Sequence, residues 1–284
     1  IVGLDAQVRR ARGKAGSMAR RGSLEKGAAQ AVLAVDVGNT TTSLGIVEDG
    51  ALFATWSLTT PERMTADEAR VAALSFLAAT DGAPEVGDAS AASVVPGLAD
   101  AWVSAANALC GRRPLVVGPG LKTGVRMRYN DPGELGADRV ADLAAAKAAY
   151  EPPFIVVDLG TTTNFEVVDA DGVFVGGIIA PGLALAARAL AGAAAQLAAV
   201  ELRAPASVIG KSTREAVQAG VVMGEVARID GLIDMVWREL GCKTLGVATG
   251  AGAQTMRALS ARIDAADEHL TLRGLGALHA LNRR

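Results

Sequence analysis

Three aspartates in this chain stand beside glycine turns, and their neighbours decide what chemistry they could do. Asp36 opens Asp36-Val37-Gly38-Asn39-Thr40-Thr41-Thr42-Ser43 at the end of an apolar run, and Asp158 opens Asp-Leu-Gly-Thr-Thr-Thr at the end of another. A tight turn of this composition gathers backbone N–H groups and hydroxyls, and its glycine lets the main chain approach a ligand closely. Such a nest suits phosphate oxygens, and a carboxylate at the strand end suits a magnesium ion held through water. One copy alone reads equally well as a hairpin turn. Two copies, each expected at the C-terminal end of a strand, favour phosphate. No GxxxxGK[ST] occurs, so the loop is not of the Walker kind. The third aspartate, Asp138, follows Tyr129-Asn-Asp-Pro-Gly-Glu-Leu-Gly136-Ala137 and precedes Arg139. Pro132 and Gly133 break the chain and a helix is expected from about Gly136, which puts Asp138 in its first turn. The helix dipole favours an acid there whatever else the acid does. Gly210-Lys211-Ser212-Thr213, with Glu215, reads as a helix N-cap. Ala248–Gly252 reads as a glycine-rich turn after a strand, within reach of a nucleotide.

Composition removes other chemistries. The net charge of −2 leaves no basic surplus for neutralising a nucleic-acid backbone. Half the residues are apolar, enough for a full core, and no apolar run reaches the length of a membrane span. Cys110 and Cys242 are too far apart in sequence for a CxxC motif, which argues against a disulfide framework or a structural zinc and suits a reducing compartment. The two histidines, His269 and His279, both fall late in the chain, so a Ser/His/Asp hydrolase is not expected.

The elements that must carry the aspartates follow from the apolar pattern. AVLAVDVG is a short buried strand; SLGIVED and ALFATWSL alternate as two strands joined at Asp49-Gly50. Helical spacing begins near Thr65 and returns at LADAWVSAANALC and GADRVADLAAAKAAY, with strands at ASAASVVPGL and PLVVG. Then the order restarts: PFIVVDLGTTTNFEVVDADGVFVGGIIAPG can be laid beneath AVLAVDVGNTTTSLGIVEDGALFATW, each with strand, Asp, Gly, Thr residues, strand, Asp-Gly turn and strand. Strands alternating with helices indicate an α/β fold, and the repeat indicates two copies of one α/β domain, expected at 31–150 and 151–284. The apolar stripe from Ser212 to Leu240 fits either core or a subunit interface. Residues 1–30 are basic and poor in large apolar side chains, with no signal-peptide core. They read as a disordered upstream extension or cloning remnant, or as a basic arm.

With these segments laid out, the chain resembles the type III pantothenate kinases from about Ala31 to its end. The segments that carry the resemblance are DVGNTTT, TADE, SVVP, YNDPGELGADR, DLGTTTNFEVVDADG, GGIIAPGL, GKSTREAVQAG, ATGAGA and LTLRGL, in the family's order and spacing. The resemblance implies a member of the actin, hexokinase and heat-shock ATPase superfamily, with two ribonuclease-H-like domains and a nucleotide cleft between them. It implies ATP-dependent phosphorylation of pantothenate to 4'-phosphopantothenate, the first step of coenzyme A biosynthesis. ATP would lie on Asp36, Val37, Gly38, Asn39, Thr40, Thr41, Thr42 and Ser43, with Thr161 facing them from the second copy. Asp138 would accept the proton of the pantothenate hydroxyl, and Tyr129, Gly136, Ala137, Asp138, Arg139 and Thr213 would contact pantothenate. Asp36 would hold magnesium through water, and Asp158 a monovalent cation, potassium or ammonium. The implied protein is a cytoplasmic homodimer with no nucleic-acid or membrane partner. Departures from the family pattern are Thr162, Asn164 and Glu166 in the second loop, Ala198 in place of a proline, and Ala251 in place of a glycine. A degenerate relative acting as a regulatory accessory factor is the alternative reading.

Overall fold

The almost unbroken apolar run Ala31–Val37 forms strand β1, most of it buried, as a central strand requires. The computed structural model describes residues 31–193 and 201–283, so the expectations for residues 1–30 and for Ala198 lie outside the described residues. After β1, strands β2 (Thr41–Glu48) and β3 (Ala51–Thr59) make an antiparallel meander. It turns on Asp49 and Gly50, whose φ angles of 50° and 79° suit a two-residue hairpin. The helix expected after Thr65 is α1 (Ala66–Ala78), opened by a full capping box between Thr65 and Glu68. Next come β4 (Val86–Ser93), α2 (Pro96–Cys110), β5 (Leu115–Val116), β6 (Arg126–Met127) and α3 (Ala137–Ala149). The sheet of this first unit runs β3-β2-β1-β4-β5, with β4 parallel to β1 and β5 parallel to β4.

A second unit starts at Glu151 and repeats the plan. Strands β7 (Phe154–Leu159), β8 (Thr162–Val168) and β9 (Val173–Pro181) form the meander; β10 (Leu245–Thr249) lies parallel to β7 and β11 (Ala265–Ala266) parallel to β10. Among the strands of this unit, the order β9-β8-β7-β10-β11 reproduces the β3-β2-β1-β4-β5 of the first. The architecture is thus a duplicated two-domain α/β fold. Helices α4 (Leu183–Ala193), α5 (Thr213–Leu240) and α6 (Ala253–Leu259) complete the unit. The apolar stripe of α5 is core: Val226, Ile229 and Ile233 pack with Ile155, Val157 and Phe165 of the sheet.

The expected second domain, 151–284, is corrected at its end. From His269 onward the chain belongs to the first unit. The last helix, α7 (Leu270–Asn282), buries Leu272, Leu275 and Leu278 with Val32, Ala34, Ala141 and Ala144. Gly274 lets this helix touch α3 backbone to backbone: a Cβ there would overlap the Ala141 carbonyl and lie 2.9 Å from Ala141 Cα. Neither helix can give way, so Gly274→Ala is expected to cost about 1–3 kcal/mol. A thermal melt should fall by roughly 2–4 °C for each kcal/mol lost; an unchanged melt would show that α7 does not lock α3. Among the described residues no helix is long and apolar enough to cross a membrane.

Candidate active site

In the first unit, β1 delivers Asp36 to its carboxyl end and the chain turns at once. Gly38 N–H donates to the Thr41 carbonyl at 3.0 Å, and Thr60 N–H donates to the Thr40 carbonyl at 3.0 Å. Thr60 also donates its hydroxyl to the Gly38 carbonyl at 2.7 Å and shares a 2.9 Å bond with the Thr42 hydroxyl. The loop is therefore fixed from the end of β3, by a residue that no motif marks. Asn39, Thr40 and Thr41 are exposed, while Asp36, Gly38 and Ser43 are half-buried. Val37 and Thr42 turn their side chains inward, 1% and 0% exposed, so only their main chain could meet a ligand.

The end of β4 adjoins this loop, where Val94 N–H donates to the Val37 carbonyl at 3.0 Å. On its other side Val94 approaches Gly136, its Cγ1 3.8 Å from where a Cβ on that glycine would stand. Gly136 is the N-cap of α3, and Asp138 is the second residue of the helix. Asp138 Oδ1 accepts from Arg139 N–H at 2.8 Å and curls over Gly136, where a Cβ would overlap it. Asp36 and Asp138, about a hundred residues apart in sequence, are thus carried to one edge of one sheet. Arg139 is buried at 6% exposure, while Ala137 and Tyr129 are half-buried. Further along α3, the fully buried Asp142 accepts the Thr271 hydroxyl of α7 at 2.7 Å, a second tie between these helices.

In the second unit, Asp158 is the next-to-last residue of β7, in register with Thr249 of β10 and Asn164 of β8. Gly160 N–H donates to the Thr162 carbonyl at 3.0 Å, the counterpart of the Gly38 turn. Gly250, at φ 85°, faces the carboxylate: a Cβ there would stand 3.1 Å from Asp158 Oδ1 and 2.7 Å from the Leu159 carbonyl oxygen. A Cβ on Gly160 would stand 3.7 Å from Asp158 Oδ2. Two residues without side chains therefore let the main chain close in on Asp158 and the Leu159 carbonyl, and oxygens of this kind suit a hard cation. Thr161 is half-buried, and its carbonyl accepts from Gly182 N–H at 3.1 Å. Thr213 does not join this loop; it is the exposed first residue of α5, and Ser212 caps the helix by accepting from Glu215 N–H at 3.2 Å. Of the departures, Asn164 and Glu166 are buried in β8 and Ala251 is exposed.

Each unit thus offers a strand-end aspartate beside a hydroxyl-rich turn, and the first unit adds a helix-mounted carboxylate beside its turn. A turn of that kind suits phosphate oxygens, and a carboxylate beside it suits a proton acceptor. The family pattern described as type III pantothenate kinase matches residues 32–235. A protein of Anaeromyxobacter dehalogenans named type III pantothenate kinase is 41% identical over 253 residues, covering 89% of this chain and 100% of its own length. One of Listeria monocytogenes with the same name is 36% identical, covering 89% and 98%. Among solved structures, the ethanolamine utilization protein EutJ of Carboxydothermus hydrogenoformans superposes with a TM-score of 0.52 at 17% identity, covering 90% of this chain and 91% of its own, which is a likeness of fold.

Proposed function

We infer how this site works from a premise that the relatives establish: the chain belongs to the type III pantothenate kinase family. It phosphorylates pantothenate with ATP as co-substrate, giving 4'-phosphopantothenate for coenzyme A biosynthesis. The observation that supports the residue assignment is that Val94, at the end of β4, bonds to the Asp36 turn at Val37 on one side and lies against Gly136, beneath Asp138, on the other. Phosphoryl transfer needs positioning and charge neutralisation more than covalent chemistry. The ATP phosphates rest on the main-chain amides and exposed hydroxyls of residues 36–43, and Thr161, in the counterpart turn of the second unit, is a further ATP-binding residue. Asp138 takes the proton of the pantothenate primary alcohol as its oxygen attacks the γ-phosphorus and the bond to the β,γ-bridging oxygen breaks. One Asp138 oxygen stays on Arg139 N–H, which fixes the carboxylate's direction and leaves the other for the substrate. Tyr129, Gly136, Ala137, Arg139 and Thr213 bind pantothenate, and Arg139 pairs with its carboxylate or steadies the base. Asp36 would hold magnesium through water, and Asp158 a potassium or ammonium ion. When bound, these cations offset the charge on the transferring group.

ATP consumption with and without pantothenate, in potassium and then in sodium, tests the reading; consumption independent of pantothenate would overturn it. Asp158→Asn is expected to remove the difference between potassium and sodium buffers while leaving the melting temperature near that of the wild type. Potassium activation retained in that variant would place the cation elsewhere. The protein works in the cytoplasm, where its two free thiols, Cys110 and Cys242, stay reduced. It works as a homodimer, supported by the exposed Ile179, Leu185, Leu190, Val208 and Ile209 of the second unit.

A further inference from the structure

The two turns are braced differently. In the first unit Thr60 follows β3 and reaches back with its hydroxyl to the turn. In the second unit the residue after β9 is Gly182, which has no side chain to reach with. Its backbone is instead pressed against the turn, and a Cβ there would stand 2.6 Å from the Thr161 carbonyl oxygen. The bracing comes from the middle of α5. Thr163 donates its hydroxyl to Glu225 Oε1 at 2.6 Å. Arg228 pairs with Glu225 Oε2 and donates from Nη2 to the Pro181 carbonyl at 2.5 Å. Thr162 and Pro181 are partners across β8 and β9, so the Glu225–Arg228 pair holds the strand that leaves the turn, β8, and the end of β9 that lies beside it.

Stability does not account for the pair. Glu225 is 4% exposed, and Arg228 Nε is buried with no hydrogen-bond partner among the described residues. Taking the Glu225 carboxylate out of water, beside an arginine that stays 29% exposed and leaves one buried donor unsatisfied, gains no more than packing apolar side chains of the same size. What the pair supplies that an apolar pair cannot is a directed grip on one hydroxyl and one carbonyl.

We propose that Glu225 and Arg228 are positioning residues for nucleotide, holding residues 160–163 and Pro181 so that Thr161 meets the ATP phosphates. This rests on the reading of Thr161 as a phosphate-facing residue. The test is steady-state kinetics of the whole chain with ATP and pantothenate varied separately, beside binding of a fluorescent ATP analogue. Glu225→Gln keeps an acceptor for Thr163 and weakens the hold on Arg228. Glu225→Met combined with Arg228→Met fills the space without charge. Thr163→Val leaves the ion pair and removes one grip. The double variant is expected to melt within a few degrees of the wild type. Its ATP KM and analogue Kd should rise about tenfold, the scale of one charge-assisted hydrogen bond, with pantothenate KM within about twofold. Glu225→Gln and Thr163→Val should shift ATP KM in the same direction by less. A folded double variant with wild-type ATP KM and analogue Kd would overturn the proposal. Should the double variant not fold, the same null result in Thr163→Val and Glu225→Gln would overturn it. A wild type that binds the analogue but does not phosphorylate pantothenate would fail the functional reading instead, and the variants' Kd values would still decide the clamp.

Discussion

Asp138→Asn is expected to lower pantothenate turnover by about 10²–10⁴-fold, the usual contribution of a positioned base. Asn is nearly isosteric and its Oδ1 can still accept from Arg139 N–H, the 2.8 Å bond that the aspartate makes at the start of α3. The helix start therefore survives, and the melting temperature should move by no more than about 2–4 °C, the equivalent of one kcal/mol. Binding of a fluorescent ATP analogue should persist, because residues 36–43 are held by Thr60 and by their own backbone bonds rather than by Asp138. If the acid served the helix dipole alone, the order of effects would reverse: turnover would be nearly normal and stability would fall slightly. Turnover measured at saturating ATP beside a thermal melt separates the two, and near-normal turnover would remove Asp138 from the base's role.

How much of this was legible beforehand depends on how local each determinant is. The two Asp-x-Gly-x-Thr turns are local, and both appear where the repeat places them, each closed by a glycine N–H bonding to a carbonyl two or three residues on. The Asp49-Gly50 hairpin and the Thr65 capping box are local too, set by backbone freedom and by a three-residue spacing. The home of α7 is not local. Its small residues Gly274 and Gly276 announce a close approach, but the surfaces they meet are Ala141 and Val47, remote in sequence. Nothing within the helix names them, so the sequence alone runs the second domain through to residue 284.

The bracing of the turns was hidden for the same reason. Thr60 lies at the end of an alternating strand, where a threonine is unremarkable, and its partner Gly38 is reached only once β3 has paired with β2. Glu225 sits in line with Gln218, Val222 and Ile229 on the buried face of α5. Its position in the apolar period could have drawn notice, since a carboxylate at a core position needs a partner. The partner, Thr163, is on another element altogether. The same stripe left core and subunit interface open; contact with Ile155, Val157 and Phe165 assigns its inner face to the core. Evidence for a subunit interface therefore shifts to the exposed apolar side chains of α4 and of residues 208–209.

Gly136→Ala is expected to imitate Asp138→Asn without touching the carboxylate's chemistry. The glycine's backbone, at φ −54° and ψ 145°, is open to any residue, so conformational freedom does not explain its presence. The neighbour that an added Cβ would overlap is Asp138 Oδ1; Val94 Cγ1 stays at an ordinary 3.8 Å. A carboxylate tip on a rotatable stem can move aside, so the fold should lose only about 0.5–1 kcal/mol, the scale of exchanging glycine for alanine at an N-cap. Catalysis has less tolerance, because a displacement of about 1 Å in a reacting group can cost 10²-fold. Turnover should accordingly fall by about 10–10³-fold, with ATP-analogue binding unchanged. The decisive measurement is the double variant. If the added methyl acts by displacing the base, Gly136→Ala placed on top of Asp138→Asn should lower turnover by no more than about twofold further, since the group it displaces has already lost its function. Full additivity of the two losses would mean that the methyl blocks pantothenate itself, and Gly136 would then be a contact of the substrate rather than the space into which its base is folded.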